Sequence, residues 1–427
     1  MNRYSIGLDL GTSSVKAVLF HMQKGVIAKE SADFAYKTSC LPNGAEYVGI
    51  DLDDFFAKIC SVLKKLSGSL PADAQFCGLA MASASGNAVL CDKHGNAIID
   101  GYSWLNTPFA EEVQQVFGAD FGADVHETAG WRLSLPFPLG QLSHIKLNAP
   151  ELLEKCDVVC MTTEYVLHRL TGCWGIDVST ATPFYLLNQK NRCWNTAYLN
   201  ALGIDEAKLP PLMACGQKLG TLTKESALLT GLPQGSGVFV GSFDHPTAAR
   251  ACDIKEEGDL LVSCGTSWVC FMPMADRKKV ITGGFLCDPF LTPHGNWGAM
   301  TSLSRASEKI KAIVETYISA DEDKFEVLDT CASKKEDGGL AFNAMTDDLD
   351  LSGFSRENIA RALMVGIATE LKNRVSNVIR VKKISMCGGP SASKVWQDTL
   401  AEVFGVPVVV TYGPHSGAVG AAMYALK

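Results

Sequence analysis

The sequence predicts an α/β protein built from two similar halves. Three observations carry this. The chain has 427 residues, too many for one ordinary hydrophobic core, so two domains are expected. A Gly-Thr-Ser-x-Val word occurs twice in strand-like runs, in IGLDLGTSSVKAVLF (Ile6–Phe20) and in LLVSCGTSWVCF (Leu260–Phe271). Around each copy, turn-linked apolar strands lead into a segment of helical period.

The first half begins with YSIGLDLG, an apolar run expected as a buried strand. SSVKAVLFHM is rich in β-branched residues and follows a Gly-Thr-Ser turn. GVIAKESADF follows a Lys-Gly turn, so the start reads as a hairpin-rich meander. DLDDFFAKICSVLKKL opens on acids and places Phe55, Phe56, Ile59, Val62, Leu63 and Leu66 at helical spacing. QFCGLAMASA is a further strand. VFVG is a short buried strand, and HPTAARACD starts a helix with Pro246 in its first turn. The second half repeats the order, with GDLLVSCGTSWVCFMP, ITGGFLC and GNWGAM as strands and SLSRASEKIKAIVETYI as a helix. In ISMCGGPSASKVWQDTLAEVFGVPVVV a strand ends at Gly388 and Gly389. A helix with Trp396, Leu400, Val403 and Phe404 on its apolar side follows, and then another strand. GPHSGAVGAAMYALK closes the chain as a small-residue helix packed close to a neighbour. The expected domains are residues 1–248 and 249–427.

Composition narrows the function. The net charge is −8, 47% of residues are hydrophobic and 20% are charged. No basic cluster offers a phosphate footprint, which argues against a nucleic-acid partner. MNRYSIGLDL lacks the features of a signal peptide, and no apolar run approaches the roughly 18 residues of a membrane span. The 15 cysteines are scattered without a CxxC pair or zinc spacing. Reduced thiols in a cytoplasmic protein are expected. Neither GxxxxGK[ST] nor a GxGxxG after a strand is present, which weakens the P-loop and Rossmann readings.

The repeated turn has definite chemistry. Glycine lets backbone approach a ligand, successive N–H groups can cradle phosphate oxygens, and Thr and Ser hydroxyls add donors. Two such turns across a cleft would hold a polyphosphate. Asp9 lies inside an apolar strand, where an unpartnered acid is costly. It is placed to hold Mg²⁺, through water because Mg²⁺ dehydrates reluctantly. Asp244 sits at a strand's carboxyl end beside a helix start, where open α/β sheets place ligands. It is either a helix N-cap or a general base that accepts a hydroxyl proton.

Taken together these stretches resemble the FGGY family of carbohydrate kinases, nearest its xylulokinase and ribulokinase-like branch. GLDLGTSSVK resembles the family's first phosphate motif and GSFDHPTAA the segment of its catalytic Asp. LLVSCGTSWVCF resembles the second phosphate motif, MCGGPSASKVWQDTLAEVFGVPV the adenosine motif, and SGAVGAA the last helix. Each motif alone is weak, whereas five in order over nearly the whole chain are specific. The resemblance implies two duplicated ribonuclease H-like domains of the actin, Hsp70 and hexokinase ATPase type, with an interdomain cleft that closes on substrate. It implies transfer of the ATP γ-phosphate to a primary hydroxyl of a small sugar or polyol, a ketopentose foremost. Asp244 is then the general base and Asp9 the Mg²⁺ organiser. Gly11, Thr12, Ser13 and Lys16 meet the phosphates from one half, and Gly265, Thr266 and Ser267 from the other. Gly388, Gly389 and Ser393 lie at the adenosine. Ser85, Asn106, Glu164 and His245 are the sugar-pocket candidates, and ASASGNAVLCD, YSWLN and CWGIDVSTAT sit where the family places its sugar-pocket segments. ATP and Mg²⁺ are the implied cofactors, a sugar or polyol the partner, and a homodimer an option.

The chain departs from the family pattern in places. It lacks a Ser-Gly-Glu-Arg-x-Pro-like loop. WLNTP stands for Trp-x-Asp-x-Arg, with Asn106 in the acid's place. Pro390 replaces the third glycine of the adenosine motif. These departures leave open pentulose, hexulose, tetrulose and polyol acceptors. They also leave open an ATP-binding sensor of the same fold with lost or altered turnover. Apart from His245, the histidines at 21, 94, 126, 144, 168, 294 and 415 are expected to be structural or at the surface.

Overall fold

The structure, a computed structural model, describes residues 2–289, 296–336, 338–347 and 350–426. The chain divides into two compact units. One contains residues 2–248 with residues 286–289 and 417–426; the other contains Ala249–Phe285 and the described residues from 296 to 416.

The first unit is organised by β1 (Arg3–Leu10), β2 (Ser14–His21), β3 (Gly25–Asp33), β4 (Gln75–Ser83), β5 (Lys218–Thr221) and β6 (Gly237–Phe243). Their order across the sheet is β5-β6-β4-β1-β2-β3. β1, β2 and β3 pair antiparallel as the turn signals predict, while β1–β4 and β4–β6 pair parallel. Parallel neighbours need crossovers, and α1 (Leu52–Ser67) supplies the first. Asp51 caps α1 by accepting from the Asp54 N–H. Phe55, Phe56, Ile59, Val62, Leu63 and Leu66 are all buried in the core beneath it. Each such side chain contributes about 1.5–3 kcal/mol of apolar burial.

The C-terminal helix (Ser416–Tyr424) packs on β1 at van der Waals limits, which explains its small residues. A β-carbon on Gly7 would lie 1.8 Å from the Ala418 carbonyl oxygen. Ser5 Oγ donates to the Ala422 carbonyl at 2.8 Å. A separate antiparallel sheet of Tyr36–Cys40, Glu46–Ile50 and Gly101–Tyr102 anchors the loop that follows Tyr102.

In the second unit β7 (Asp259–Cys264), β8 (Trp268–Met274), β9 (Trp297–Leu303), β10 (Lys383–Gly388) and β11 (Val408–Val409) take the order β9-β8-β7-β10-β11. β7–β8 and β8–β9 are antiparallel, and β7–β10 and β10–β11 are parallel. This is the first unit's pattern again, so the ribonuclease H-like arrangement is present twice.

Two expectations need correction. ITGGFLC does not begin as a strand, because Arg277–Thr282 is helical and Asp276 caps it by accepting from the Lys278 N–H at 2.8 Å. Only Leu286–Asp288 of that region is a strand. In SLSRASEKIKAIVETYI the first two residues still belong to β9, and the helix starts at Ala306. His294 lies outside the described residues.

Candidate active site

The first Gly-Thr-Ser turn joins β1 to β2, with Leu10 opposite Val15. The Gly11 N–H donates to the Ser14 carbonyl at 3.0 Å, and the Phe34 N–H donates to the Ser13 carbonyl at 3.1 Å. The Tyr36 hydroxyl donates to the Thr12 carbonyl. The turn is thus fixed by its own backbone and by the start of the neighbouring sheet. Asp9 and Lys16 face each other across β1 and β2. Burial, then the charge of Asp244, raise the Asp9 carboxyl to about 7, and Lys16 partly offsets them. Gly417, in the first turn of the C-terminal helix, lies against this carboxylate.

β6 ends at Phe243 and a helix, α2 (Asp244–Ala251), starts at Asp244. Asp244 Oδ1 accepts from the His245 N–H at 2.7 Å, with His245 Nε2 at 3.7 Å. Burial pushes this carboxyl up, while the His245 charge and the backbone donors pull it down. Asp244 therefore combines the two fates read from its position. It meets amides at a helix start, and it is a partly screened base of raised affinity for protons.

Two further acids stand beside it. Asp177 Oδ1 accepts from the N–H groups of Ser179 at 3.0 Å and Thr180 at 2.8 Å. The Cys215 thiol lies 3.5 Å from the same oxygen. Ser179 Oγ donates to Asp288 Oδ2 at 2.5 Å and accepts from the Phe243 N–H at 3.1 Å. Burial raises Asp177 to about 6. Burial raises Asp288 strongly, and Asp177 and Asp244 add to it. Asp177 lay within a quoted pocket segment without being singled out, and Asp288 was not anticipated. The signal for both was that of Asp9, an acid inside an apolar run: GIDVS and FLCDPF.

The sugar-pocket candidates divide. Ser85 has φ 37°, and its hydroxyl is buried without a partner among the described residues. Its neighbour Gly86 is pressed on Phe137, where a β-carbon would come within 2.7 Å of the ring. From Phe137 an aromatic chain runs to Trp131 (centroids 5.9 Å apart), to Phe243 (5.2 Å) and to His245 (5.6 Å). Ser85, Asp244 and His245 are thus linked along one wall. Glu164 is buried beneath a helix start. Its Oε2 accepts from the Met161 N–H at 3.0 Å, and its Oε1 has no partner among the described residues. Asn106 is committed elsewhere. Its Oδ1 accepts from the Val48 N–H at 2.7 Å, and its Nδ2 donates to the carbonyls of Val48 at 2.9 Å and Ser103 at 2.6 Å.

In the second unit Gly265 N–H donates to the Ser267 carbonyl at 3.2 Å. Ser307 Oγ donates to the Gly265 carbonyl at 2.7 Å. Ser267 Oγ accepts from the Arg305 N–H at 3.1 Å, and the Thr266 carbonyl accepts from the Ser307 N–H at 3.2 Å. Gly388 has φ 91°, and a β-carbon there would lie 2.2 Å from the Cys264 carbonyl oxygen, so only glycine fits. Ser393 caps the helix Lys394–Phe404 by accepting from the Trp396 N–H at 3.1 Å. Gly389, Pro390 and Ser393 share a cavity of about 570 Å³ with Trp268, Phe325 and Trp396. The two tryptophan rings meet edge to face at 4.7 Å. A mainly apolar slot with a few polar groups suits a flat heterocycle.

Comparison with known proteins agrees with this organisation. The N-terminal domain profile of the FGGY family of carbohydrate kinases matches residues 4–250, and its C-terminal domain profile matches residues 345–427. A gluconokinase of Bacillus licheniformis is 23% identical over 456 residues, covering 100% of this chain and 88% of the relative. A xylulose kinase of Staphylococcus xylosus is 23% identical over 453 residues, covering 99% and 90%. The crystal structure of xylulose kinase from Rhodospirillum rubrum superposes with a TM-score of 0.85 at 23% identity, over 99% of this chain and 90% of that one. Among the described residues no helix is long and apolar enough to cross a membrane. The matched profiles span most of the chain and the fold is shared from end to end, so this chain belongs to the FGGY family of carbohydrate kinases, enzymes that use ATP to phosphorylate sugars.

Proposed function

We propose that this kinase transfers the γ-phosphoryl group of Mg-ATP to a primary hydroxyl of a small sugar or polyol, a ketopentose such as xylulose or ribulose foremost. The observation that carries the reading is the placement of Asp9 and Asp244. Asp9 is the next-to-last residue of β1 and Asp244 follows β6, strands that flank β4 in one sheet, and the charge of Asp244 acts on Asp9. Two acids that act on each other in partly buried surroundings call for a cation and a proton donor. Xylulose kinases recur among the relatives and the structural neighbours, which supports the ketopentose.

Asp244 takes the hydroxyl proton as the sugar oxygen forms its bond to the γ-phosphorus and the bond to the ADP oxygen breaks. Asp9 fits Mg²⁺ held through water: its carboxylate is poor in nearby cations apart from Lys16, and Mg²⁺ needs only one or two carboxylates besides phosphate. The bound ion neutralises phosphate charge. Gly11, Thr12, Ser13 and Lys16 in the first unit, and Gly265, Thr266 and Ser267 in the second, are assigned to the phosphates. The slot bearing Gly389 and Ser393, with Gly388 at its strand end, is assigned to adenosine. Ser85, Glu164 and His245 are assigned to the acceptor, and Asn106 to the frame of the pocket. The test is ADP release with Mg-ATP against ketoses, aldoses and polyols, run beside Asp244→Asn. Release with one or a few acceptors, lowered at least about 10³-fold in the variant, is expected. Full activity in Asp244→Asn overturns the assignment.

A further inference from the structure

We infer that Asp288, held by Ser179 beside Asp177 and Asp244, selects a neutral polyhydroxy acceptor and rejects one that carries a carboxylate. The inference rests on the acceptor site proposed around Asp244.

The geometry comes first. Asp288 is fully buried, and only one of its two oxygens is engaged, by the Ser179 hydroxyl at 2.5 Å. The other, Oδ1, has no partner among the described residues. Ser179 also receives the Phe243 N–H, so Asp288 is fixed relative to the residue that precedes Asp244. Asp177 is fixed to the same segment by two backbone amides. A buried, immobilised and half-satisfied carboxyl costs stability unless a ligand completes it.

The charges around it decide which ligand. Asp177 and Asp244 are the charged groups that act on Asp288. Asp177 in turn acts on Glu164 and, with Asp288, on the Cys215 thiol. The His245 ring lies beside Asp244, its Nε2 3.7 Å from Asp244 Oδ1. A ligand group meeting Asp288 therefore enters a field of acids, of which Asp177 and Glu164 are buried and Asp244 is partly exposed. A sugar hydroxyl fits either protonation state, since it can donate to a carboxylate or accept from a carboxylic acid. A ligand carboxylate only accepts, so it can pair with Asp288 only where Asp288 keeps its proton, and in either state it brings a negative charge beside Asp177 and Asp244. Gluconokinases occur among the relatives, so the distinction between a polyol and an aldonate separates real alternatives.

The experiment is calorimetric titration in the presence of Mg-ADP with two matched pairs, xylitol against xylonate and glucitol against gluconate. Within each pair a CH₂OH group is exchanged for a carboxylate. With the wild-type protein the better-bound pair should favour its neutral member by at least about tenfold. In Asp288→Asn the neutral member should weaken, and the preference should shrink to within about threefold. An aldonate that binds the wild type as well as its polyol overturns the inference, and so does a preference unchanged in the variant. Failure of both polyols to bind at tens of millimolar also overturns it. The wild-type comparison needs no variant to fold. Neutral preference without phosphoryl transfer to any acceptor would sink the kinase reading and leave this one standing. Preferential phosphorylation of gluconate would do the reverse.

Discussion

Gly417 stands against Asp9: a β-carbon at residue 417 would lie 2.4 Å from Asp9 Oδ2. The first turn of a helix is where backbone N–H groups and the helix dipole favour a negative charge. The contact therefore limits where the carboxylate assigned to Mg²⁺ can lie. In Gly417→Ala the clash falls on the tip of a side chain, which can rotate aside. The expected result is a protein that melts within a few degrees of wild type but has lost at least about tenfold in kcat/KM for Mg-ATP. Gly7→Ala is different in kind, because its β-carbon meets backbone, the Ala418 carbonyl at 1.8 Å and the Ala422 nitrogen at 2.4 Å. The helix must lift off β1, and a loss of about 3 kcal/mol or more is expected in denaturant unfolding. Full activity in Gly417→Ala, or wild-type stability in Gly7→Ala, would refute the respective claim.

Asp9 also predicts a pH dependence of stability. Its carboxyl is raised from an ordinary value to about 7, so the folded chain holds this proton more tightly than the unfolded chain. The contribution is full below the ordinary carboxylate range and is lost as pH climbs toward about 7. Asp177, Asp244 and Asp288 are raised too and act in the same direction. The share of Asp9 is the difference between wild type and Asp9→Asn. Without Mg²⁺ at pH 8, Asp9→Asn should be the more stable protein by on the order of 1–3 kcal/mol, a gap that closes at pH 4. Mg²⁺ with ADP should raise the melting temperature of wild type at pH 8 and raise that of the variant much less. A gap that widens toward low pH contradicts the sign.

Much of this was legible before the structure. The duplicated Gly-Thr-Ser word marks a local event, a turn between two strands, and local events leave local patterns. Asp9 and Asp244 drew attention because each acid sits in an apolar or small-residue context that gives it few local partners. Asp177 and Asp288 sit in similar contexts, yet their meaning depends on a partner far along the chain: the Ser179–Asp288 bond spans 109 positions. No periodicity records such a contact. Asn106 was hard to read for a related reason. A side-chain amide reads alike whether it serves a ligand or a backbone, and only the three bonds to Val48 and Ser103 decide. ITGGFLC misled because a charged cap, Asp276, lies just upstream of its β-branched start and wins the first turn for a helix.

The slot in the second unit yields a prediction that separates capping from binding. Ser393 accepts from the Trp396 N–H as helix cap and also touches the cavity. Ser393→Ala should cost about 1 kcal/mol as a cap. If Ser393 also meets the nucleoside, the KM for ATP should rise severalfold while the acceptor's KM stays put. Ser393→Asp keeps a capping oxygen and should recover stability, but it should not recover the KM. An ATP KM that follows stability in both variants would reduce Ser393 to a cap.

Asn106 gives the complementary test in the first unit. Its side chain replaces a strand partner for Val48, answering both the N–H and the carbonyl of that residue, and it also receives the turn at Ser103. Asn106 is 7% exposed, so deleting the amide takes away the acceptor of the Val48 N–H, while the carbonyls of Val48 and Ser103 keep the N–H groups of Ser103 and Asn106. Asn106→Ala should therefore lose about 1–3 kcal/mol of stability. Asn106→Asp keeps an acceptor for the Val48 N–H but turns a carboxylate toward two carbonyl oxygens. It should be no better than alanine at pH 8 and should improve as the pH falls and the acid takes a proton. Because the side chain has no free donor for a sugar, the acceptor's KM should change by less than about threefold in either variant when assayed well below its melting temperature. A large rise in the acceptor's KM at unchanged stability would return Asn106 to the pocket.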